Sequence, residues 1–271
     1  MEEKAVQNVQ PLRSVQAVQT PTCVLPRGAG EEGIERLKPH KLTERSAVER
    51  NRVIEMTRQI ILIIALLTLA ALWLTPWASL GMAPFSAHMV VHMGIVAVAA
   101  PLLALGVAGS AVDPVARLPA LFPPIPVSLV EFIVVWAWHT PVLHHAARHP
   151  GLASLAKQGM FLLAGLWLWL AVFGGTGDER RGRAGSGVIA LLLTSMHMTL
   201  LGALLALAPR PLFAHDTADA THALDSLAAL ADQHLGGAIM LLVGGVAYLA
   251  GGLWLMAGLL RRVDYRRRVR A

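Results

Sequence analysis

Long apolar runs recur along this chain at regular intervals and restrict its fold more than any other feature. Most are close to the roughly 20 residues that a helix needs to cross a hydrocarbon layer about 30 Å thick. The composition agrees, because 55% of the 271 residues are hydrophobic, 15% are charged and the mean hydropathy is +0.56. The sequence predicts an all-α polytopic membrane bundle of about six transmembrane helices, near Ile60–Leu80, His88–Gly106, Val127–His139 with its flanks, Leu152–Phe173, Val188–Ala208 and Leu227–Leu260.

Two of these runs depart from the simple pattern. The third contains Glu131 and follows Pro123, Pro124 and Pro126, so its first residues are expected to form a loop or a broken helix. The last run is long and rich in glycine, but nothing polar inside it provides a turn. We therefore predict one tilted helix there rather than two.

The polar segments divide the chain into three parts. Residues 1–58 are predicted to be a largely disordered cytoplasmic tail, with a short helix on the membrane surface at "LTERSAVERNRVIEMTRQ". Residues 59–262 are predicted to form the transmembrane helical bundle. Residues 263–271 are predicted to be a basic cytoplasmic tail.

Lysine and arginine are concentrated in alternate loops, which places those loops and both termini in the cytoplasm. The basic residues that give the net charge of +6 thus serve to orient the chain in the membrane. The expected partner is therefore the lipid bilayer rather than nucleic acid. The basic residues are Arg50, Arg52 and Arg58 before the first run, Arg117 after the second, Arg180, Arg181 and Arg183 after the fourth, and "RRVDYRRRVR" at the end. Tryptophans are expected to form aromatic belts, with Trp73, Trp77, Trp136 and Trp138 at the outer boundary and Trp167, Trp169 and Trp254 nearer the inner one.

The histidines are distributed unevenly across this topology. All of the 11 histidines except His40 and His197 lie at or near the outer face. His88 and His92 are one helical turn apart, so both rings can reach one ion, and His139 ends the neighbouring third run at the same level. We predict a metal site formed by His88, His92, His139 and His144.

The donor types favour copper. Cys23 is the single cysteine, which excludes a thiolate cluster, whereas imidazole and thioether ligands suit copper. Haem is a less favoured alternative, because a transmembrane electron carrier would need histidines toward both faces. The secondary candidates are Met93, His197 and His234, together with Asp232, which either orients an imidazole or caps its own helix.

Four segments carry a resemblance to a known family. "FSAHMVVHMGIVAVAAPLLALG", "WAWHTPVL", "LLGALLALAPRPLF" and "DQHLGGAIM", in this order, resemble the CtaG family of integral membrane cytochrome c oxidase assembly factors. The resemblance covers roughly Trp73 to Trp254 and concerns the multi-span type, not the single-span periplasmic copper chaperone. The family pattern is matched at His88, His92, His139, Pro141, Asp232 and Gln233. Lys157 and Gln158 stand where the pattern leads us to expect a histidine.

The resemblance implies a protein of the respiratory chain that matures a haem-copper oxidase by supplying or handling copper. The expected partner is a cytochrome c oxidase subunit, and the expected location is the bacterial inner (plasma) membrane. No nucleophile, acid-base pair or nucleotide loop was found in the sequence, so we do not expect an enzyme. A copper transporter and a haem-binding redox protein are the alternatives, and the oligomeric state stays open.

Overall fold

The computed structural model describes residues 39–74, 84–147, 151–213 and 223–270, and within these ranges it describes the side chains of residues 46–261 except 178 and 223–225. The predictions for the N-terminal tail up to residue 38 and for the side chains of the C-terminal tail lie outside this part. The described chain is all helical. Its helices are α1 (Pro39–Leu74), α2 (Phe85–Val107), α3 (Pro114–Arg117), α4 (Pro124–Trp138), α5 (Pro141–Ala146), α6 (Leu152–Phe173), α7 (Gly177–Ala206) and α8 (Ala223–Arg270).

The prediction of a polytopic helical membrane protein is confirmed. Within the described residues, five helices, α1, α2, α6, α7 and α8, are long and apolar enough to cross a membrane. The third predicted span is the shorter α4, which has 15 residues and a length of about 22 Å at 1.5 Å per residue. Its first turn is helical despite the three prolines, because a proline in the first turn of a helix removes no hydrogen bond that the helix could form.

Helices α1 and α8 each form one continuous element. The charged stretch 42–59 is helical and continues directly into the apolar half of α1, so it is not a separate helix. The run Leu227–Leu260 lies within the single helix α8, as predicted.

Helix α2 contains one π-helical turn, Gly94–Ala99, directly after its two histidines. A π turn pairs each N–H with the carbonyl five residues earlier, and Pro101 has no N–H to give to Val96. The indole Nε1 of Trp169 donates to that Val96 oxygen instead, at 2.9 Å. Trp169 is therefore buried in the bundle, and its prediction as part of an aromatic belt is wrong.

Helices α7 and α8 touch backbone to backbone through glycines. A Cβ added at Gly237 would lie 2.5 Å from the nitrogen of Ala206 and 2.7 Å from the oxygen of Gly202. Small residues allow such close contact between membrane helices, where dispersion forces and not the hydrophobic effect hold helices together.

One end of the bundle is organised around the buried carboxylate of Asp113. It accepts hydrogen bonds from the backbone N–H groups of Gly109 at 2.6 Å, Val115 at 2.9 Å and Gly175 at 2.8 Å, which joins the loop after α2 to the loop after α6. Gly109 and Gly175 have φ values of 68° and 83°, where a side chain would be strained. Arg58, Arg180 and Arg183 lie around these two loops, and we call this the arginine end.

The distribution of arginines gives a testable topology. We expect the arginine end to face the cytoplasm, because short basic loops stay on that side. Reporter fusions after Arg183 and at Ala271 should therefore be cytoplasmic, and fusions after Arg148 and Phe213 should be periplasmic. A reversed result at either pair would contradict this orientation.

Candidate metal centre

The opposite end of the bundle begins with the first turn of α2, which is capped from another helix. The carboxylate of Asp232 on α8 accepts hydrogen bonds from the backbone N–H groups of Phe85 at 2.5 Å and Ser86 at 3.3 Å, and from the Ser86 hydroxyl. These N–H groups have no partner within their own helix, so a carboxylate satisfies them and also interacts favourably with the helix dipole. Asp232 thereby fixes the start of the helix that carries His88 and His92.

Four histidine rings meet at this end of the bundle. They come from the two helices α2 and α5 and from the residue that ends α4, and we call His88, His92, His139 and His144 the histidine group. The ring centroid of His92 lies 5.2 Å from that of His139, and the centroid of His88 lies 6.1, 6.0 and 5.3 Å from those of His92, His139 and His144. The structure therefore brings together all four residues that the sequence predicted as ligands.

These distances can be compared with those around a bound ion. For metal–nitrogen bonds of about 2.0 Å, the centroids of three or four imidazoles around one ion lie about 5 to 5.5 Å apart. The separations of 5.2 and 5.3 Å lie within this range, and those of 6.0 and 6.1 Å exceed it by less than about 1 Å. Among the residues that the structure describes, however, no group of three or more His, Cys, Asp or Glu side chains already has the geometry of a formed metal site.

Among the described residues, three of these histidines have buried ring nitrogens that make no hydrogen bond. Within the described part of the chain, Nε2 of His88, both ring nitrogens of His92 and Nε2 of His139 have no hydrogen-bond partner. Buried polar atoms are nearly always hydrogen-bonded, so four such atoms in one place indicate an absent ligand or an absent water.

The tautomer of His139 is fixed by its own helix. Its Nδ1 lies 2.6 Å from the carbonyl oxygen of Val135, and because a carbonyl can only accept, Nδ1 carries the proton. Nε2 of the neutral ring then carries the lone pair that a metal needs. Metal-binding histidines are commonly held in this way, with the second nitrogen donating to a carbonyl.

Aromatic side chains close the histidine group. The Phe161 ring lies 4.0 Å from the His92 ring, and Phe85 stacks on Phe213 at 4.5 Å beside His144. An apolar surrounding of this kind keeps water out and strengthens electrostatic interactions inside.

Lys157 lies at the same place, one helical turn before Phe161 on α6. It is only 6% exposed and interacts electrostatically with His88, His92 and His139. The residue that stands where a histidine was expected is therefore a buried amine that faces the histidine group.

The secondary candidates lie elsewhere. Asp232 hydrogen-bonds to the start of α2, as described above, rather than to an imidazole within the described residues, and it lies inside α8 rather than at its N-cap. His234 donates to the carbonyl of Ala208 at 2.9 Å. The sulfur of Met93 lies 3.6 Å from the Cβ position of Gly244 on α8, and Nε2 of His197 lies 2.9 Å from Oε2 of Glu131.

Gln233 joins two helices at the same end. Its side-chain oxygen accepts from the N–H of Leu212 at 2.6 Å, and its side-chain nitrogen donates to the carbonyl of Leu205 at 3.3 Å. The sequence "DQH" on α8 thus attaches the start of α2 and the end of α7 to α8, which explains why three polar residues occur together in an apolar helix.

One buried polar cluster was not predicted from the sequence. The carboxylate of Glu131 pairs with His197 and accepts a hydrogen bond from the Tyr248 hydroxyl at 3.1 Å. A signal was present, because a carboxylate inside an apolar run is costly and usually has a function. From the sequence alone, Glu131 is only a charge that makes the third apolar run a poorer match to a transmembrane helix.

Fold and site together define a polytopic helical membrane protein with a buried group of histidines at one end. The chain belongs to the Caa3_CtaG family, described as cytochrome c oxidase caa3 assembly factor, whose family model matches residues 42–262. This match confirms the resemblance found in the sequence. No curated protein and no solved structure is significantly similar to the chain.

Proposed function

We propose that the protein binds copper as cargo in the histidine group and passes it to a subunit of a cytochrome c oxidase during assembly of that enzyme. It performs this role in the bacterial plasma membrane, with the histidine group at the outer face, and it carries out no chemical reaction of its own. The family supports a role in oxidase assembly, and the histidine group supports the part played by copper.

One observation carries the proposal: among the described residues, three histidines have buried ring nitrogens without hydrogen-bond partners, and their rings lie within about 1 Å of the spacing expected around an ion. His139 is held for this role by its bond to Val135, and His144 stands beside His88 as a fourth ligand.

The chemistry of the site favours monovalent copper. Imidazole nitrogen is a ligand for copper, zinc and iron rather than for magnesium or calcium. The histidine group contains no carboxylate, and the amine of Lys157 stands beside it, so the charge of a bound ion is not neutralised by its ligands. An ion of low charge is therefore preferred, which points to Cu(I).

Copper binding by the purified protein tests this function. Anaerobic titration of the full-length protein in detergent with Cu(I), in competition with a chromogenic chelator, should show one tightly bound ion per chain. An absence of binding would contradict the proposal. A Soret band in the absorbance spectrum of the protein as isolated would favour the haem alternative instead.

Copper transport is a second candidate, favoured by buried sulfur deeper in the bundle. Met93 and Met198 are fully buried, and both lie against Gly244 of α8. Thioethers are good ligands for Cu(I), so they could continue a path inward from the histidine group. Uptake of Cu(I) into proteoliposomes distinguishes the two functions, because a transporter accumulates copper inside the vesicles and an assembly factor only binds it.

Replacement of Lys157 should raise the affinity for Cu(I), whereas loss of a ligand lowers it. Replacing it with leucine removes a positive charge beside the ion and adds no thioether that could itself bind Cu(I). We expect Lys157→Leu to bind Cu(I) about tenfold more tightly in the same titration, because two unit charges interact by more than 1.4 kcal/mol at separations up to about 11 Å at an effective dielectric of about 20. An unchanged or weaker affinity would show that the amine is itself a ligand or lies away from the ion.

A further inference from the structure

Two guanidinium groups from different helices meet over the loop that follows α2. Arg58 belongs to α1 and Arg180 to α7, and Nη2 of each lies 3.4 Å from the position that a Cβ on Gly109 would occupy. The two nitrogens are therefore separated by no more than twice that distance. Two positive charges this close repel each other, so the arrangement favours an anion that contacts both.

The nearby carboxylates do not supply this anion. Both oxygens of Asp113 already accept hydrogen bonds from backbone N–H groups. Glu55 lies 3.2 Å from Nη1 of Arg58, but its side chain is 63% exposed, and an exposed ion pair contributes little. Glu179 is exposed at the start of α7 and is followed directly by two arginines. Among the described side chains, positive charge is therefore in excess at the arginine end.

Arg58 has donors for a further acceptor. One N–H of Nη1 is used by Glu55, and one N–H of Nη2 is used by the carbonyl oxygen of Ala108. A guanidinium group has five N–H groups in a planar fork, so donors remain beyond these two bonds. The side chain is 14% exposed rather than fully buried, so part of it is open to a ligand from outside the bundle.

Phosphate is an anion that matches this pair of arginines. Arginine binds phosphate through charge-assisted and often bidentate hydrogen bonds, and an N–H···O bond is about 2.9 Å long. One phosphate group can therefore span the gap between Arg58 and Arg180, with one oxygen bonded to each of them.

The surface beside the two arginines is apolar. Arg58 lies where α1 changes from charged to apolar residues, and Ile60 and Ile63 just beyond it are more than half exposed. Val112 and Leu118, in the segment between α2 and α4, are also more than half exposed. Only 6% of the apolar stretch of α1 is buried inside the bundle. A ligand with a negative head and an apolar tail gains from both surfaces, whereas a free anion gains only from the charges.

We propose that the arginine end binds an anionic phospholipid, with its phosphate between Arg58 and Arg180 and its acyl chains along the exposed apolar half of α1. Basic pockets between membrane helices are suited to anionic headgroups. The lipid joins α1 to α7 and so holds against the bundle a helix that has little buried surface of its own. This inference does not depend on copper binding, because the arginine end lies opposite the histidine group.

Lipid binding by the purified protein tests the proposal. Full-length protein is delipidated in detergent and titrated with phosphatidylglycerol or with phosphatidylcholine of the same acyl chains, and bound lipid is counted by native mass spectrometry. We expect phosphatidylglycerol to bind at least about tenfold more tightly, because two arginines act on its net negative charge and each is worth roughly a fivefold change in affinity. Equal affinity for the two lipids would overturn the proposal.

A double variant and a matched control locate the site. Arg58→Gln combined with Arg180→Gln should bind phosphatidylglycerol at least about tenfold more weakly, with unchanged binding of phosphatidylcholine. Arg52→Gln combined with Arg181→Gln removes the same charge from exposed positions on the same two helices, and it should behave like wild type. An equal loss in both double variants would show that overall charge attracts the lipid, and the assigned site would be wrong.

Inorganic phosphate distinguishes a lipid from a free anion. The unfolding temperature of wild type, followed by its tryptophan fluorescence, should rise with phosphatidylglycerol and stay unchanged with inorganic phosphate at equal ionic strength. An equal rise with inorganic phosphate would overturn the assignment to a lipid.

Arg58 also holds the carbonyl of Ala108, so a second variant is needed if the double variant does not fold. Arg180→Gln alone leaves that bond in place, and it should bind phosphatidylglycerol about fivefold more weakly than wild type. Wild-type affinity for phosphatidylglycerol in Arg180→Gln would contradict a headgroup held between the two arginines.

Discussion

Replacing His92 with alanine is expected to remove copper from the protein almost completely. His92 has the most deeply buried ring of the histidine group: it is only 1% exposed, and it lies 5.2 Å from His139 and 6.1 Å from His88. Loss of an indirect partner of a ligand already costs about 10- to 100-fold in metal affinity, so loss of the ligand itself should cost more than about 100-fold. His88→Ala should have a similar effect, because no other imidazole can take its place without movement of a helix.

His145→Ala is the matched control for this prediction. His145 is the exposed neighbour of His144 on α5 and presents the same chemistry outside the group. It should retain wild-type copper affinity, as measured by chelator competition with protein of equal purity. Full copper binding by both His88→Ala and His92→Ala would show that the histidine group is a packing feature and not a metal site.

The second large effect is expected at Gly237, where α7 and α8 meet. A single methyl group there would lie 2.5 Å from the nitrogen of Ala206, and a backbone atom cannot rotate away as a side chain can. Gly237→Ala should therefore separate the two helices and destabilise the bundle by about 1–3 kcal/mol or more. The expected observation is a clear fall in membrane abundance and in the thermal stability of the protein in detergent.

Gly258→Ala provides the comparison on the same helix. A Cβ at Gly258 has no atom within 4 Å, so the same change should leave abundance and stability at wild-type levels. Equal behaviour of the two variants would mean that α7 and α8 are not in backbone contact.

The helices could be predicted from the sequence because their signal is local. A run of apolar residues has the length that a bilayer requires, whatever the remainder of the chain does. The single helix α8 was predicted correctly for the same reason, since nothing inside the run Leu227–Leu260 provides a turn. Helix α4 was harder to define, because its prolines suggest a break although they occupy the first turn, where a helix tolerates them.

The proximity of His88, His92 and His139 could also be predicted from the sequence. Two of the three are one turn apart on one helix, and topology alone places the third at the same level. What could not be predicted is the function of Asp232, because its partners Phe85 and Ser86 are nearly 150 residues away in the chain. It orients the helix that carries two of the histidines rather than a histidine itself.

The buried cluster of Glu131, His197 and Tyr248 shows the same limit in a stronger form. His197 lies 66 residues after Glu131 in the chain, and Tyr248 lies 117 residues after it. Each of the three stands alone in its own apolar run. Only the packing of α4, α7 and α8 brings them together. Trp169 is similar, because Pro101 indicates that a carbonyl of α2 lacks its donor, but nothing local identifies an indole 73 residues later.

The copper content of the oxidase itself tests the central claim most directly. The chromosomal copy is replaced by His92→Ala or His145→Ala, the cytochrome c oxidase is purified from each strain and from wild type, and its copper-to-haem ratio is measured by metal analysis and absorbance. We predict a clear fall of this ratio in the His92→Ala strain, with normal membrane abundance of the variant, and a wild-type ratio in the His145→Ala strain. A fully copper-loaded oxidase in the His92→Ala strain, grown without added copper, would contradict delivery of copper through the histidine group.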